Sequence, residues 1–440
     1  MEKKSIIVYL ASDFHARSFF SGRLFDSLIS RFNLTILKSS DVNLPINYST
    51  ERVFTVGKSQ VCHDYFAKYL DGSLVRNLHK SRSFRFRLKR YLVGDYKTLI
   101  GFSPRGLLRF FKAVFLALPG VYQKVCDGYR EAVITNSQLA IFARDHKPDL
   151  IVCWAQSMEP AVLESILIAK KLNILSMVVY DNWDNLSSKT VMLDKPDHLV
   201  CFGETSKKFA ERIHKVPIKS IHSLGSARFD AYVSNSPSHL GKRSEVLIAG
   251  SSIALEDHAI LNVISKELRI SSRREELEDF TFFYRPHPAP QGPSAFFDVS
   301  SYHGIKLDEF CQTLHSRKIH WQNQQDLAKS LFKKKLVIAS PTTLLLEALL
   351  AGCQVIVPAL NVKGIKTSNR KMLGNLEHLR DISNLPNLKI VYDSKELISA
   401  LYASLKSPQI SFAPIELNGH LTTRPGDFSS RFVDLVSSIS

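Results

Sequence analysis

Leu336-Val337-Ile338-Ala339-Ser340-Pro341-Thr342-Thr343-Leu344-Leu345-Leu346-Glu347-Ala348-Leu349-Leu350-Ala351-Gly352-Cys353-Gln354-Val355-Ile356-Val357-Pro358 opens the longest weakly charged stretch of the chain. From Leu336 to Val362, Glu347 is the sole acid, and no base appears before Lys363. Such a length would suit a membrane span. Two breaks argue otherwise: the hydroxyl-rich turn Ser340 to Thr343, and Gly352-Cys353-Gln354. They cut the stretch into strand-, helix- and strand-length pieces. Unbroken β-branched strands are those covered on both faces, as in parallel sheets with helical crossovers.

The same rhythm extends in both directions. Ile6–Leu10, Leu34–Leu37, Val53–Val56, Leu150–Trp154, Ile174–Tyr180 and His198–Phe202 have strand length and pattern. Ser137–Asp145, Ala161–Leu172 and Ser206–His214 have helical periodicity. After a polar break at Ser234 to Arg243 the pattern restarts. Strands are predicted at Val246–Ala249, Phe280–Arg285, Lys335–Ala339, Gln354–Pro358 and Leu388–Tyr392. Helices are predicted at Glu256–Leu268, Gln325–Phe332, Thr343–Leu350, Ser394–Leu405 and Phe428–Val436. The expected fold class is α/β, with two Rossmann-like domains facing a cleft. The expected division is 1–235 for the first domain, 236–415 for the second and 416–440 for a tail whose helix packs back on the first. Ligands in such sheets sit beyond the carboxyl ends of the strands.

The 440 residues carry 58 Lys and Arg against 41 Asp and Glu, a formal +17 that favours an anionic partner. The charge is uneven. Residues 76–112 hold eleven bases and one acid, Asp95, a net +10, with Phe84, Phe86, Tyr91, Tyr96, Phe102, Phe110 and Phe111 interleaved. Leu107 to Leu116 reads as a basic amphipathic helix that could lie on an anionic membrane surface. The alternatives are a solvated loop with an ordinary core-facing helix, or nucleic acid. No helix-turn-helix, zinc-finger or RNA-recognition signature supports the last, so no nucleic-acid partner is expected. The six cysteines are at least 27 residues apart and form no CxxC, which fits a reducing compartment. The N-terminal apolar run is too short for a signal segment. The expected location is the cytoplasm, peripheral on the inner membrane.

Three turns carry chemistry in the second half. Phe282-Phe283-Tyr284-Arg285-Pro286-His287-Pro288 ends a strand, so Arg285 and His287 are expected at a carboxyl edge, where an Arg fork and an imidazole suit a phosphate. Ser340, Thr342 and Thr343 precede a helix start, an anion-binding arrangement, with Glu347 one turn in as a candidate for ribose hydroxyls. Ser251, in Gly250-Ser251-Ser252, supplies a third turn at the same sheet end. A capped Arg and a plain helix cap are the structural alternatives.

This constellation resembles the nucleotide-sugar glycosyltransferases of the GT-B fold, particularly those of bacterial capsule and O-antigen biosynthesis. His287-Pro288 followed by Ser340-Pro341-Thr342-Thr343 looks like the His-Pro and Ser-Ser/Thr motifs of CMP-sugar transferases. Tyr180 to Lys189 and Gly225-Ser226-Ala227-Arg228-Phe229-Asp230 resemble segments of surface-carbohydrate biosynthesis proteins, with Ala227 where those have Pro. The resemblance implies a GT-B glycosyltransferase that needs no metal or cofactor. It would take a nucleotide-sugar donor, with a CMP-sugar preferred, and a polysaccharide or lipid-linked glycan acceptor. One departure stands out: Glu347 has Ala339 eight residues before it and Val355 eight after, so the Glu-x7-Glu pair of retaining enzymes is missing.

An acid–base or nucleophilic role then falls to the first half. Asp13 and His15 follow the first strand. Glu159 follows Leu150–Trp154, and Asp181 and Asp184 follow Ile174–Tyr180, with Trp183 available to stack on a sugar. Lys189 and Arg228 are candidates for phosphate. Helix caps and Asx turns are the structural alternatives for the acids, and a surface ion pair for the two bases. Three other functions fit the same fold: a sugar-nucleotide epimerase, a CDP-polyol phosphotransferase, and a non-catalytic glycan- or nucleotide-binding protein.

Overall fold

The computed structural model describes residues 3–20, 23–44, 52–93, 104–155, 159–189, 192–234, 242–251, 254–270, 274–287, 298–308, 324–362, 368–408, 417, 419–422 and 428–439. The linker 235–241, the segment 94–103, Ser252, Pro288 and Arg424 to Asp427 lie outside them.

Thirteen strands form two parallel sheets among the described residues. The first contains β1 (Ser5–Leu10), β2 (Asn33–Ser39), β3 (Val53–Val56), β4 (Leu150–Ala155), β5 (Leu175–Tyr180), β6 (His198–Cys201) and β7 (Ile221–Ser223), in the order β3-β2-β1-β4-β5-β6-β7. The second contains β8 (Glu245–Ala249), β9 (Thr281–Arg285), β10 (Ile305–Leu307), β11 (Lys334–Ala339), β12 (Gln354–Pro358) and β13 (Leu388–Val391), in the order β10-β9-β8-β11-β12-β13. The order reverses at β1/β4 in one sheet and at β8/β11 in the other. These are the switch points where a crevice opens beyond the carboxyl ends.

The two-residue period of a strand explains the continuous apolar runs. Ile7 and Tyr9 enter one core layer of the first sheet, and Ile6, Val8 and Leu10 enter the other. In the second sheet Val337 and Ala339 face one layer, and Leu336 and Ile338 the other. With helices on both sides, both faces are mostly apolar, and the buried polar residues of the strands lie at strand ends, as Ser39, Ser176, Arg285 and Lys334 do. The stretch from Leu336 to Pro358 is accordingly β11, the helix Thr343–Leu350 and β12. Among the described residues no helix is long and apolar enough to cross a membrane.

The chain ends by returning to the first sheet. The Thr422 amide donates to Phe202 O at 2.7 Å, and Gly419 O accepts from the Thr205 amide at 3.0 Å. Gly225 holds φ +90° beneath this crossing, and a Cβ there would meet Thr422 O at 2.7 Å, so glycine is needed for both reasons. The helix Phe428–Ser438 then sets Phe428, Phe432, Val433 and Val436 into the layer that contains Trp154. Asp230 anchors its start, accepting from the Phe428 amide at 2.7 Å and from the Ser429 hydroxyl at 3.0 Å.

Candidate active site

The carboxyl edges of the two sheets meet in a polar seam. On the first lobe, β5 ends at Tyr180 and releases the turn Asp181 to Asp184 before the short helix Asn185–Ser188. Asp181 is buried and accepts a hydrogen bond from the Ser226 hydroxyl. Burial raises its pKa, and nearby Arg228 works against that rise. Arg228, from the loop after β7, lies between the rings of Phe14 and Phe229, at 5.3 and 5.6 Å from their centroids. Its Nε and Nη2 donate to Oε1 of Glu347, on the other lobe, at 3.2 and 2.7 Å. A second polar bridge runs beside it: the Thr343 hydroxyl donates to Asn182 Oδ1 at 3.1 Å. Asp181, Asn182, Arg228, Thr343 and Glu347, spread over more than 160 positions, therefore form one cluster.

Glu159 and His15 form a second group at the β1/β4 switch point. Ser12 caps the helix Asp13–Phe19, and this start carries His15 inside the protein, fully buried. His15 Nδ1 is 3.5 Å from Glu159 Oε2. Burial lowers the imidazole to about 3 and pushes the carboxyl up to about 7. At neutral pH the imidazole is uncharged, so the contact is not a salt bridge. Glu159 is instead a carboxyl that samples both protonation states. Asp13 points elsewhere, accepting from the Asn43 amide at 2.7 Å.

At the second-lobe edge, Thr342 is the N-cap of the helix Thr343–Leu350, but its side chain makes no capping bond. The Ser340 hydroxyl accepts from Asn369 Nδ2 at 3.0 Å, and the Asn369 amide donates to Glu256 Oε1 at 2.9 Å. The Ser251 amide donates to both Asp257 oxygens, at 3.0 and 3.1 Å, and the Tyr284 hydroxyl donates to one of them at 3.0 Å. Burial pushes Glu256 up to about 7 and Asp257 to about 6. His287 is half-buried two residues past β9.

Several expected residues have other partners. Arg285 is buried with its Nε and Nη2 on Asp308 Oδ2, at 2.9 and 2.6 Å, and Nη2 also reaches the Ser330 hydroxyl at 2.9 Å. Glu347 meets Arg228. Trp183 is buried against His378 and His420, with ring centroids 5.4 and 6.0 Å away, so its faces belong to the core. Asp184 pairs with Lys189 at 3.3 Å. A groove of about 800 Å³ lies away from all this chemistry, between the helices Ala254–Arg269 and Ser394–Lys406. Its wall groups include Tyr402 on Glu267 at 2.9 Å and Lys406 on Glu276 at 2.7 Å.

No family model matches the sequence, and no curated protein is similar to it. Solved structures are similar over nearly the whole chain. The UDP-GlcNAc 2-epimerase of Methanocaldococcus jannaschii aligns with a TM-score of 0.53 and 12% identity, covering 98% of this chain and 99% of that one. A putative UDP-N-acetylglucosamine 2-epimerase of Listeria monocytogenes aligns with 0.53 and 12%, covering 99% and 96%. The Neisseria meningitidis enzyme bound to UDP-GlcNAc aligns with 0.52 and 12%, covering 98% and 99%. The two-lobed architecture is the one those epimerases have.

Two expectations are thereby corrected: the resemblance to CMP-sugar transferases of capsule and O-antigen biosynthesis, and the glycosyltransferase function drawn from it. The three solved structures just described carry the name UDP-GlcNAc 2-epimerase, one of them as putative. The physical reason lies in the motifs. A His-Pro strand exit and a Ser/Thr helix start are what a Rossmann-like lobe offers to a phosphate at its carboxyl edge. They report the architecture and not the fate of the sugar.

The sequence reading missed Ser226, Asp308, Asn369, Glu256, Asp257 and His378. Ser226 was within reach, two residues before Arg228 in a segment already singled out. Asp257 follows the Ser251 turn and sits where a helix start favours acids. Asn369, Asp308 and His378 stand in stretches without a local signal. Among the described residues no group of three or more His, Cys, Asp or Glu could hold a metal ion.

Proposed function

We propose that this chain is an enzyme that acts on a nucleotide sugar held between its lobes and epimerises the sugar while it remains on the nucleotide site. The observation behind this is the seam in which Arg228 and Asn182 of one sheet edge meet Glu347 and Thr343 of the other, with Asp181 buried beside Arg228. A ligand whose phosphates rest on His287, Ser340, Thr342 and Thr343 would extend its sugar toward the carboxyl groups of the first lobe. Arg285, steadied by Asp308, would shape that phosphate edge from behind, with Ser251 on the adjoining turn.

Inversion by acid–base chemistry needs one group to take a proton and another to return it on the opposite face. Glu159, with a pKa near 7, is suited to either step at neutral pH. Asp181 is the second carboxyl of this edge; His15 lies beside Glu159, Lys189 pairs with Asp184, and Asp13, bonded to the Asn43 amide, would stay outside the reaction. The UDP-sugar named for the Neisseria meningitidis structure makes a UDP-sugar the first substrate to test.

The test is incubation of the purified protein with UDP-GlcNAc in D2O, followed by proton NMR. The expected result is a second sugar epimer with deuterium at the inverted carbon, with the rate lost in Glu159→Gln. His287→Ala should weaken UDP binding measured by calorimetry. Absence of both epimer and deuterium exchange across UDP-, CMP-, GDP- and dTDP-sugars would overturn the proposal.

A further inference from the structure

The helix Pro104–Leu116 inverts the usual arrangement of an amphipathic helix. At 100° per residue, Leu107, Leu108, Phe111, Val114, Phe115 and the following Leu118 fall within an arc of about 120°. All six are exposed, Leu108 by 73%, Phe111 by 61% and Phe115 by 58%. The inward side consists of Gly106, Ala113 and Leu116. Contact with the body is close there: a Cβ on Gly72, in the helix Gln60–Arg76, would meet Leu116 O at 2.8 Å. The helix is also pinned at both flanks. Lys112 pairs with Asp71 at 3.1 Å, and Arg76 donates to Ala117 O at 3.0 Å while lying over the Tyr122 ring. The apolar stripe therefore cannot roll inward without breaking these contacts.

A fixed, outward apolar stripe of this length is uncommon on a monomer surface and marks an interaction face. Its surroundings select the partner. Arg105, Arg109 and Lys112 are exposed on the same helix, and Arg85 and Lys89 on the adjoining helix Arg82–Val93, and no acid occurs in either helix. Bases beside a solvent-facing strip of Leu and Phe complement an anionic lipid surface, with the rings and aliphatic chains at the headgroup boundary and the cations on phosphates. We infer that this helix docks the protein onto an anionic bilayer. This goes beyond the chemistry proposed for the cleft and does not depend on it.

The experiment is co-sedimentation of the full chain with phosphatidylcholine vesicles and with vesicles containing one-quarter phosphatidylglycerol. Binding to the anionic vesicles alone, weakened between 0.1 and 0.5 M salt, is expected. The triple variant Leu108→Ser, Phe111→Ser, Phe115→Ser should bind roughly tenfold less or weaker. The charge variant Arg105→Glu, Arg109→Glu should also lose binding. Both should keep the wild-type thermal unfolding profile, because the altered side chains face water. Failure to bind anionic vesicles, equal binding to neutral ones, or a dimer that the triple variant dissociates would overturn the inference. The last outcome would assign the face to a second copy of the chain.

Discussion

Arg228 and Glu347 stand 119 positions apart and meet at 2.7 Å, both buried, one from each lobe. The pair ties the loop after β7 to the helix after β11. It also consumes a carboxylate whose position in the sequence suggested a ligand.

Breaking that pair should be costly, because the remaining charge would be left in a buried site. Arg228→Leu is expected to destabilise the protein by about 3–5 kcal/mol. Adding Glu347→Met should recover much of the loss, since an apolar pair of similar volume removes the orphan charge. Urea unfolding of the two variants checks this. A double variant no more stable than the single would contradict it.

Glu159 should make stability fall as pH rises. Its folded pKa of about 7 lies above the ordinary 4.5, so the folded state holds the proton more tightly. The associated stability is full below about 4.5 and is lost as pH climbs through 7. Glu159→Gln removes this dependence. The melting temperature of the variant should gain on that of wild type between pH 5 and pH 8.

His378 has the opposite sign. It is buried at the lobe contact, with its Nδ1 hydrogen-bonded to the Ser187 hydroxyl at 2.8 Å, and burial lowers its pKa to about 4 from 6.5. The unfolded chain takes up a proton that the folded one refuses, so stability falls as pH drops from 6.5 toward 4. His378→Asn keeps a polar atom for Ser187 but does not titrate. Denaturation midpoints at pH 7 and pH 5 should differ less in the variant than in wild type.

The tail helix should be integral to the first lobe. Phe432 is fully buried, 5.5 Å from Trp154 and from Phe428 between ring centroids. Phe432→Ala should cost about 3–5 kcal/mol. Asp230→Ala should loosen the same helix by removing its anchor, seen as faster amide exchange over 428–438 with slower change elsewhere.

Most of the sheet framework was legible. Ile6–Leu10 and Val355–Pro358 could be read because their buried, continuous apolar runs are a local property, and the edge strand Val53–Val56 from its β-branched and aromatic residues. The strands β7 and β10 escaped because each is three residues long at a sheet edge, too short for any period. The long helices Gln60–Arg76 and Pro119–Asn136 also went unread, because their apolar positions are interrupted by Gly72 and Gly128 and by polar residues.

The site divides along the same line. Sequence alone determined that the polar turns after β1, β4, β5, β9 and β11 would lie at carboxyl edges, because strand exits and helix starts are encoded within a few residues. The partners were decided by tertiary structure: Glu347 with Arg228, Arg285 with Asp308, Trp183 with His378. Tertiary structure also decided which side of the helix Pro104–Leu116 faces water. Periodicity shows that a helix has two faces, but the face that turns inward depends on the surface it meets. Here the side with Gly106, Ala113 and Leu116 is the buried one, and the Leu116 backbone comes so close to Gly72 that a Cβ there would meet its oxygen at 2.8 Å.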